Sequence, residues 1–158
     1  MSAITTAPAR ARDLAMLVAA FALTAGLGTA AETLRGTCIR VADADRIEVW
    51  LGSRDDVVTV RLAGVDAISL RESYHLYATL YIRHLLLDKP VTVEVHDRSA
   101  DGEVTGRVIV DHRDVSYLVI SEGLALDDGS APAGMRLVVA EELARAQEAG
   151  IWAPESAD

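Results

Sequence analysis

The pattern of apolar and polar residues predicts three strands near the start of the chain, at residues 33–42, 46–51 and 57–63. In the second run, Ile47, Val49 and Leu51 alternate with Arg46, Glu48 and Trp50. Strict alternation is typical of a strand with one face buried. Short turns of acidic, Gly and Ser residues separate the runs and predict an antiparallel meander.

A helical period follows at about Leu70 to Leu87, where five apolar or aromatic residues are expected to form one core-facing row: Leu70, Tyr74, Tyr77, Tyr81 and Leu85. Pro90 cannot continue a helix, so the helix is expected to end before it.

Residues 91–95 and 106–111 have strand composition, with a turn at Asp101-Gly102 between them. Asp114 is a suitable N-cap for a short helix at 115–122 that Gly123 ends. A last helix is predicted at 135–149, followed by Ile151-Trp152 folded back as an apolar plug. Three strands, a helix, two strands and further helices predict an α+β, mainly β fold. The expected architecture is a five-stranded OB-type barrel with an inserted helix and C-terminal helices.

The N-terminal segment has the order of an export signal: Arg10 and Arg12 precede the uncharged run 14–27, and small residues follow at 28–31. Cleavage near Ala30 or Ala31 and retention as a membrane anchor both remain open, because 18 uncharged residues just reach the length of a span. The predicted organisation is a signal at 1–31, one domain at 32–153 and a frayed tail at 154–158. The domain is expected outside the cytoplasm, periplasmic or secreted.

The charge balance argues against tight, nonspecific nucleic-acid binding. The whole chain has a net charge of −9, and without residues 1–31 there remain 13 basic and 23 acidic residues, a net charge of −10. Neutralising many phosphates requires the opposite sign. The single Cys38 cannot form an internal disulfide and is expected to be a small buried residue.

Charged residues stand at predicted strand ends and turns: Asp43 and Asp45 in one turn, Arg61 and Asp66 around the end of the third strand, and Arg107 near the start of the fifth. Carboxylates hold Ca²⁺ or Mg²⁺, and guanidinium groups bind phosphate. Metal-assisted phosphodiester chemistry needs this combination, although ordinary turn aspartates and surface arginines would have the same pattern. The four histidines are expected to join no site.

Six ordered fragments carry a resemblance to the staphylococcal-nuclease-like (thermonuclease) family: VADADRI at 41–47, VRLAGVDA at 60–67, LLLDKPVTVEV at 85–95, TGR at 105–107, ISEGLA at 120–125 and AQEAGIW at 146–152. The resemblance covers about residues 34–153. It implies the barrel fold and a Ca²⁺-dependent hydrolysis of DNA and RNA.

By that resemblance, Asp45 and Asp66 match the metal-binding carboxylates, with Asp43 as a further candidate. Arg61 and Arg107 match the two phosphate-binding arginines. The family's Asp-Gly-Asp-Thr turn is here Asp43-Ala44-Asp45-Arg46, and Arg46 could place its charge where a cation would lie.

The family's glutamate, the base that positions the attacking water, is replaced by Ser69. A neutral serine cannot act as a base near pH 7, and losing a general base typically lowers the rate by about 10²–10⁴. Glu72 could substitute for it, or could be a first-turn helix residue favoured by the helix dipole.

The resemblance also implies aromatic residues that stack on bases, and these are missing here: Thr105 stands before Gly106, where many members of the family have an aromatic residue, and the loop 127–134 has no tyrosine. Base stacking contributes about 1–3 kcal/mol per base, so weak nucleic-acid capture is expected. Two hypotheses remain open: an exported metal-dependent nuclease with impaired catalysis, and a noncatalytic binding or structural module of the cell envelope with an unknown partner. In either case we expect a monomer.

Overall fold

The computed structural model describes residues 32–67, 72–132 and 134–154. The predicted signal at 1–31, Leu70, Ser69 and the tail at 155–158 lie outside the described residues. Within the three described ranges, no helix is both long enough and apolar enough to cross a membrane.

The described residues form eight strands, numbered in chain order: β1 (Thr33–Asp43), β2 (Arg46–Trp50), β3 (Val57–Leu62), β4 (Val65–Asp66), β5 (Pro90–Arg98), β6 (Val104–Val110), β7 (Arg113–Asp114) and β8 (Leu126–Asp127). Antiparallel pairs give the sheet order β3-β2-β1-β5-β6-β7. A parallel pairing of β3 with β6, Arg61 opposite Thr105, closes the sheet into a barrel. The predicted five-stranded OB-type barrel is therefore confirmed, with β1, β2, β3, β5 and β6 as its strands.

Three helices accompany the barrel: α1 (Glu72–Leu86), α2 (Val115–Ser121) and α3 (Leu137–Ala146), with a 3-10 turn at Gly150–Trp152. The helices α1 and α2 pack on barrel strands, and α3 packs on α2 and β8. The core is contiguous from Ile47 and Val60 in the strands to Ile82 in α1 and Ile120 in α2. The inserted helix and the C-terminal helices were both predicted from the sequence. The predicted start of the first helix at Leu70 lies outside the described residues.

Local chemistry explains several boundaries. Asp114 caps α2, because its Oδ1 accepts a hydrogen bond from the Tyr117 N–H at 3.2 Å. Gly123 follows α2 with a φ of 66°, which glycine adopts without strain. The last helix is shorter than predicted, because the chain leaves α3 after Ala146 and re-forms a 3-10 turn at Gly150.

The predicted core-facing row of α1 is wrong at Tyr77, which is 59% exposed. The buried residues are Ala78, Ile82, Leu85 and Leu86, and Tyr77 lies one position, about 100°, from Ala78 around the helix. Tyrosines at 74 and 81 are half-buried at the edge of this face. Two apolar residues, Leu76 and Leu80, face outward instead.

Two short strands, β4 and β8, were not predicted from the sequence and are too short to have a period. They pair with each other, with Asp66 opposite Leu126. This pairing holds the segment after β3 against the loop after α2. Asp66 follows shortly after β3, the barrel strand that carries Arg61.

Candidate active site

Asp45 is the most buried charged side chain of the site, at 1% exposure for the residue. It lies in the turn between β1 and β2, and its backbone carbonyl accepts the Leu62 N–H at 2.8 Å, which fastens the turn to the end of β3. The neighbouring Arg61 donates from Nε to Asp45 Oδ2 at 3.2 Å. Arg61 itself is 39% exposed, so the pair has one buried partner and one partner open to solvent.

The second oxygen of this carboxylate, Asp45 Oδ1, has no hydrogen-bond partner within the described parts of the chain although it is buried. Buried polar atoms are paired in most proteins, and an unpaired carboxylate oxygen is costly. An oxygen left in this state attracts a cation. The observation is the strongest structural sign of a ligand at this site.

The donor chemistry fits a hard divalent cation, because Ca²⁺ and Mg²⁺ take carboxylate oxygens and complete their coordination with carbonyls and water. Asp66 is half-buried in β4, beside the buried Ala67. No group of three His, Cys, Asp or Glu side chains among residues 32–67, 72–132 and 134–154 is close enough to hold a metal. The unpaired oxygen of Asp45 fits a protein ligand of a largely hydrated ion, and the metal role of Asp45 and Asp66 stays a prediction.

Asp43 is in a different situation from Asp45. Its Oδ1 accepts the Ala44 N–H at 2.8 Å and lies 2.5 Å from His75 Nε2. The backbone at Ala44 does not have a positive φ, so replacing the family's glycine with alanine does not strain the turn. Asp43 thus organises the turn, and its use as a metal ligand stays a prediction.

The contact of His75 with Asp43 corrects the expectation that no histidine joins the site. His75 lies in the first half of α1, and its Nδ1 is 3.3 Å from the carbonyl oxygen of Ala67. Sequence spacing could not reveal this contact, because Asp43 and His75 are on different elements. The other three histidines, His84, His96 and His112, are exposed as expected.

Arg107, the second predicted phosphate-binding arginine, lies in β6 opposite Glu94 of β5. Its Nε donates to Asp114 Oδ2 at 2.8 Å, and its Nη1 lies 3.4 Å from Glu94 Oε2. Burial opposes the charge of Arg107, but the hydrogen bond and charge of Asp114 outweigh it and raise the pKa of the guanidinium. A phosphate at this position would have to share Arg107 with two carboxylates.

Arg46 lies directly opposite Arg61 in the β2–β3 ladder. The charge of Asp45, followed by that of Glu103, raises the pKa of Arg46. Its Nε donates to Glu103 Oε2 at 3.1 Å. The guanidinium of Arg46 therefore lies near the start of β6, where it forms an ion pair with Glu103.

Glu72, the predicted substitute base, is the first residue of α1 and is exposed. This is the position at which a carboxylate interacts favourably with the helix dipole. Ser69, which stands where the family has its glutamate, lies outside the described residues. The catalytic roles of Glu72, Arg61 and Arg107 remain predictions.

Comparison with known proteins agrees with the fold. The model of the staphylococcal nuclease homologue family matches residues 59–154. An uncharacterized endonuclease of Escherichia coli is 31% identical over 120 residues, which cover 75% of this chain and 77% of that protein. A relative of the same description from Escherichia coli O157:H7 matches to the same extent.

This chain belongs to the staphylococcal nuclease homologue family. Its described residues form a nuclease-like domain on an OB-type barrel. The matched segment begins within β3, so it includes Arg61, Asp66 and Arg107, and the turn with Asp43 and Asp45 precedes it.

Proposed function

We propose that this protein hydrolyses phosphodiester bonds of nucleic acid in a divalent-cation-dependent reaction, at a reduced rate, outside the cytoplasm. The observation that supports the reaction is the buried Asp45 carboxylate, which has one oxygen on Arg61 and the other without a partner among the described residues. A cation bound there, with Ca²⁺ as the candidate from the family, would stabilise negative charge on the phosphate and supply a bound water.

The two arginines would contribute binding and charge stabilisation. Arg61 is 39% exposed and retains donors that do not contact Asp45, so it can reach a phosphate oxygen while it remains paired. Guanidinium groups bind phosphate in a two-pronged geometry and oppose the charge that grows in the transition state. Arg107 would do the same after release from Glu94, the longer of its two contacts.

The reduced rate follows from the replacement of the family's glutamate by Ser69. A missing general base corresponds to about 10²–10⁴ in rate, or roughly 3–5 kcal/mol of barrier. Glu72 is the one carboxylate in α1, and its exposure leaves it free to act as a base or to remain a helix-start residue. Export is proposed from the residue order of the N-terminal segment alone.

A noncatalytic role is the second candidate, and the contacts of Arg107 favour it. Asp114 and Glu94 occupy this arginine, and the net charge of −10 without residues 1–31 opposes polyanion binding. A barrel of this kind would bind a protein or another component of the cell envelope.

The direct experiment incubates the purified protein with denatured DNA in Ca²⁺ and in EDTA, beside the Arg61→Ala/Arg107→Ala double variant. Slow cleavage by the wild type that stops in EDTA and in the double variant supports the nuclease. An Arg40→Ala variant is the matched control, because Arg40 is an exposed arginine in an ion pair with Glu48. If none of the three proteins cleaves DNA in Ca²⁺, the enzymatic function is rejected.

Two further variants separate the candidates for the base. Ser69→Glu restores the family's residue and is expected to raise the rate of DNA cleavage by about 10²–10⁴. Glu72→Gln lowers the wild-type rate by a similar factor if Glu72 acts as the base, and leaves it unchanged if Glu72 only begins the helix. No gain from Ser69→Glu would show that the missing base does not limit the rate.

A further inference from the structure

The ring of His75 lies between two segments that carry the candidate metal ligands. Its Nε2 is 2.5 Å from Asp43 Oδ1, in the residue that ends β1 two positions before Asp45. Its Nδ1 is 3.3 Å from the carbonyl oxygen of Ala67, which directly follows Asp66. One side chain therefore connects the turn of Asp45 to the segment of Asp66.

Both partner atoms of His75 are acceptors. A carboxylate and a carbonyl oxygen can only accept, and an imidazole donates to such a partner from a ring nitrogen that carries a proton. The two ring nitrogens lie at fixed positions on a rigid ring, one against Asp43 and one against Ala67. A side chain of this kind fixes the separation of its partners, which a flexible side chain does not.

The helix that carries His75 is itself held firmly. Ala78 and Ile82 are fully buried in the core, and the Tyr74 hydroxyl donates to the carbonyl oxygen of Gly150 at 3.2 Å. Thr79 Oγ1 donates to the carbonyl oxygen of His75 at 2.9 Å. The imidazole thus projects from a rigid element and not from a loop.

Asp43 Oδ1 is satisfied by the Ala44 N–H and by His75, whereas Asp45 Oδ1 has no partner among the described residues. The two carboxylates of the turn therefore have different tasks. Asp43 receives the hydrogen bonds that orient the turn, and Asp45 keeps an open oxygen.

We propose that His75 is a positioning residue that fastens the turn of Asp45 to the segment of Asp66 and thereby sets the site's affinity for a divalent cation. This inference rests on the proposed cation-dependent function. Groups that hold metal-binding segments in place typically change metal affinity by about 10–100-fold when they are removed.

The test compares the full-length wild type with His75→Ala, His75→Gln and the control His84→Ala, an exposed histidine of the same helix. Calorimetry at one fixed pH measures the affinity for Ca²⁺. His75→Ala is expected to weaken binding by about 10–100-fold, and His84→Ala to leave it unchanged. His75→Gln is expected to fall between them, because its flexible amide side chain can contact one segment well but not both.

Amide hydrogen exchange in EDTA provides a readout that needs no cation. Exchange at residues 44–46 is expected to be about tenfold or more faster in His75→Ala than in the wild type or His84→Ala, because a lost contact frees the turn to open. Circular dichroism identifies any variant that fails to fold, and His75→Gln then carries the comparison.

The outcomes separate this inference from the proposed function. If the wild type binds Ca²⁺ and cleaves DNA while His75→Ala binds Ca²⁺ equally well, the positioning role is wrong and the nuclease stands. If the wild type binds no Ca²⁺ and does not cleave, the proposed function fails and the cation role of His75 fails with it. Unchanged exchange in His75→Ala overturns the positioning role in either case.

Discussion

The pair formed by Asp45 and Arg61 predicts an unequal response to two substitutions that remove the same contact. The side chain of Asp45 is 2% exposed, whereas the side chain of its partner Arg61 is 39% exposed. Arg61→Ala leaves a buried carboxylate without its counter-charge. Asp45→Asn leaves an arginine that can turn into water. We therefore expect Arg61→Ala to lower the free energy of unfolding far more than Asp45→Asn does.

The magnitudes follow from the burial of each partner. Removing one partner of a buried ion pair costs about 3–5 kcal/mol, and the partial exposure of Arg61 places the expected loss at the lower end, about 3 kcal/mol. Asp45→Asn loses the ion pair but also removes a buried charge, and its amide oxygen can still accept a hydrogen bond from Arg61. These effects nearly cancel, so Asp45→Asn is expected to lie within about 1 kcal/mol of the wild type.

Urea unfolding followed by the fluorescence of Trp50 and Trp152 measures both variants in EDTA. For a domain of this size each kcal/mol shifts Tm by about 3–5 °C, so thermal unfolding should show Arg61→Ala about 10–15 °C below the wild type. Arg40→Ala is the control, because its ion pair with Glu48 is exposed and such pairs contribute about 0–1 kcal/mol.

Calcium provides the second part of this prediction. At 100 times the dissociation constant, a ligand of the folded state stabilises it by about 2.7 kcal/mol. The wild type should gain this stability in Ca²⁺, and Asp45→Asn should not. Equal losses for Asp45→Asn and Arg61→Ala in EDTA, with no effect of Ca²⁺ on the wild type, would refute the reasoning and indicate a purely structural ion pair.

Three further predictions concern the fold. Gly123→Ala should destabilise the protein by about 2 kcal/mol or more in urea unfolding, because the added Cβ would lie 2.1 Å from the Ala149 carbonyl oxygen. Burial raises the pKa of Cys38 from 9.0 to about 11. The unfolded chain therefore loses this proton first, and the free energy of unfolding should fall by about 2 kcal/mol from pH 9 to pH 11. Tyr77→Ala should cost under about 1 kcal/mol, whereas Ile82→Ala should cost about 2–5 kcal/mol, because only the second residue is buried.

Each of these has a matched comparison. Gly129 also has a positive φ, of 73°, but has open space around it. Gly129→Ala therefore measures the effect of backbone strain alone. An equal loss of stability at both glycines would contradict the clash predicted for Gly123→Ala. The free energy of unfolding of Cys38→Ala should fall less than that of the wild type between pH 9 and pH 11. Identical pH profiles of the two proteins would show that Cys38 does not cause the loss. A large loss in Tyr77→Ala would restore the core position predicted from the helical period.

Short-range patterns predicted much of the fold correctly. The alternation in β2 buries Ile47 and Val49 and exposes Trp50, because neighbouring side chains of a strand point to opposite faces whatever the strand pairs with. The cap at Asp114 depends on an N–H only three residues away. Tyr77 shows the limit of such reasoning, since an apolar row around a helix is wider than the face that the barrel covers.

The sequence by itself determined the order of the five barrel strands and the helices, and the family of the barrel. It also singled out Asp45, Arg61 and Arg107 as candidate site residues, a role that stays a prediction. Only the tertiary structure decided their partners: Asp45 with Arg61, Arg107 with Asp114, and His75 with Asp43 and Ala67. Periodicity and capping act over a few residues, whereas barrel closure brings together side chains as far apart in the chain as Arg46 and Glu103, 57 positions. Which carboxylate oxygen is buried without a partner depends on those distant contacts, and no local pattern of residues encodes it.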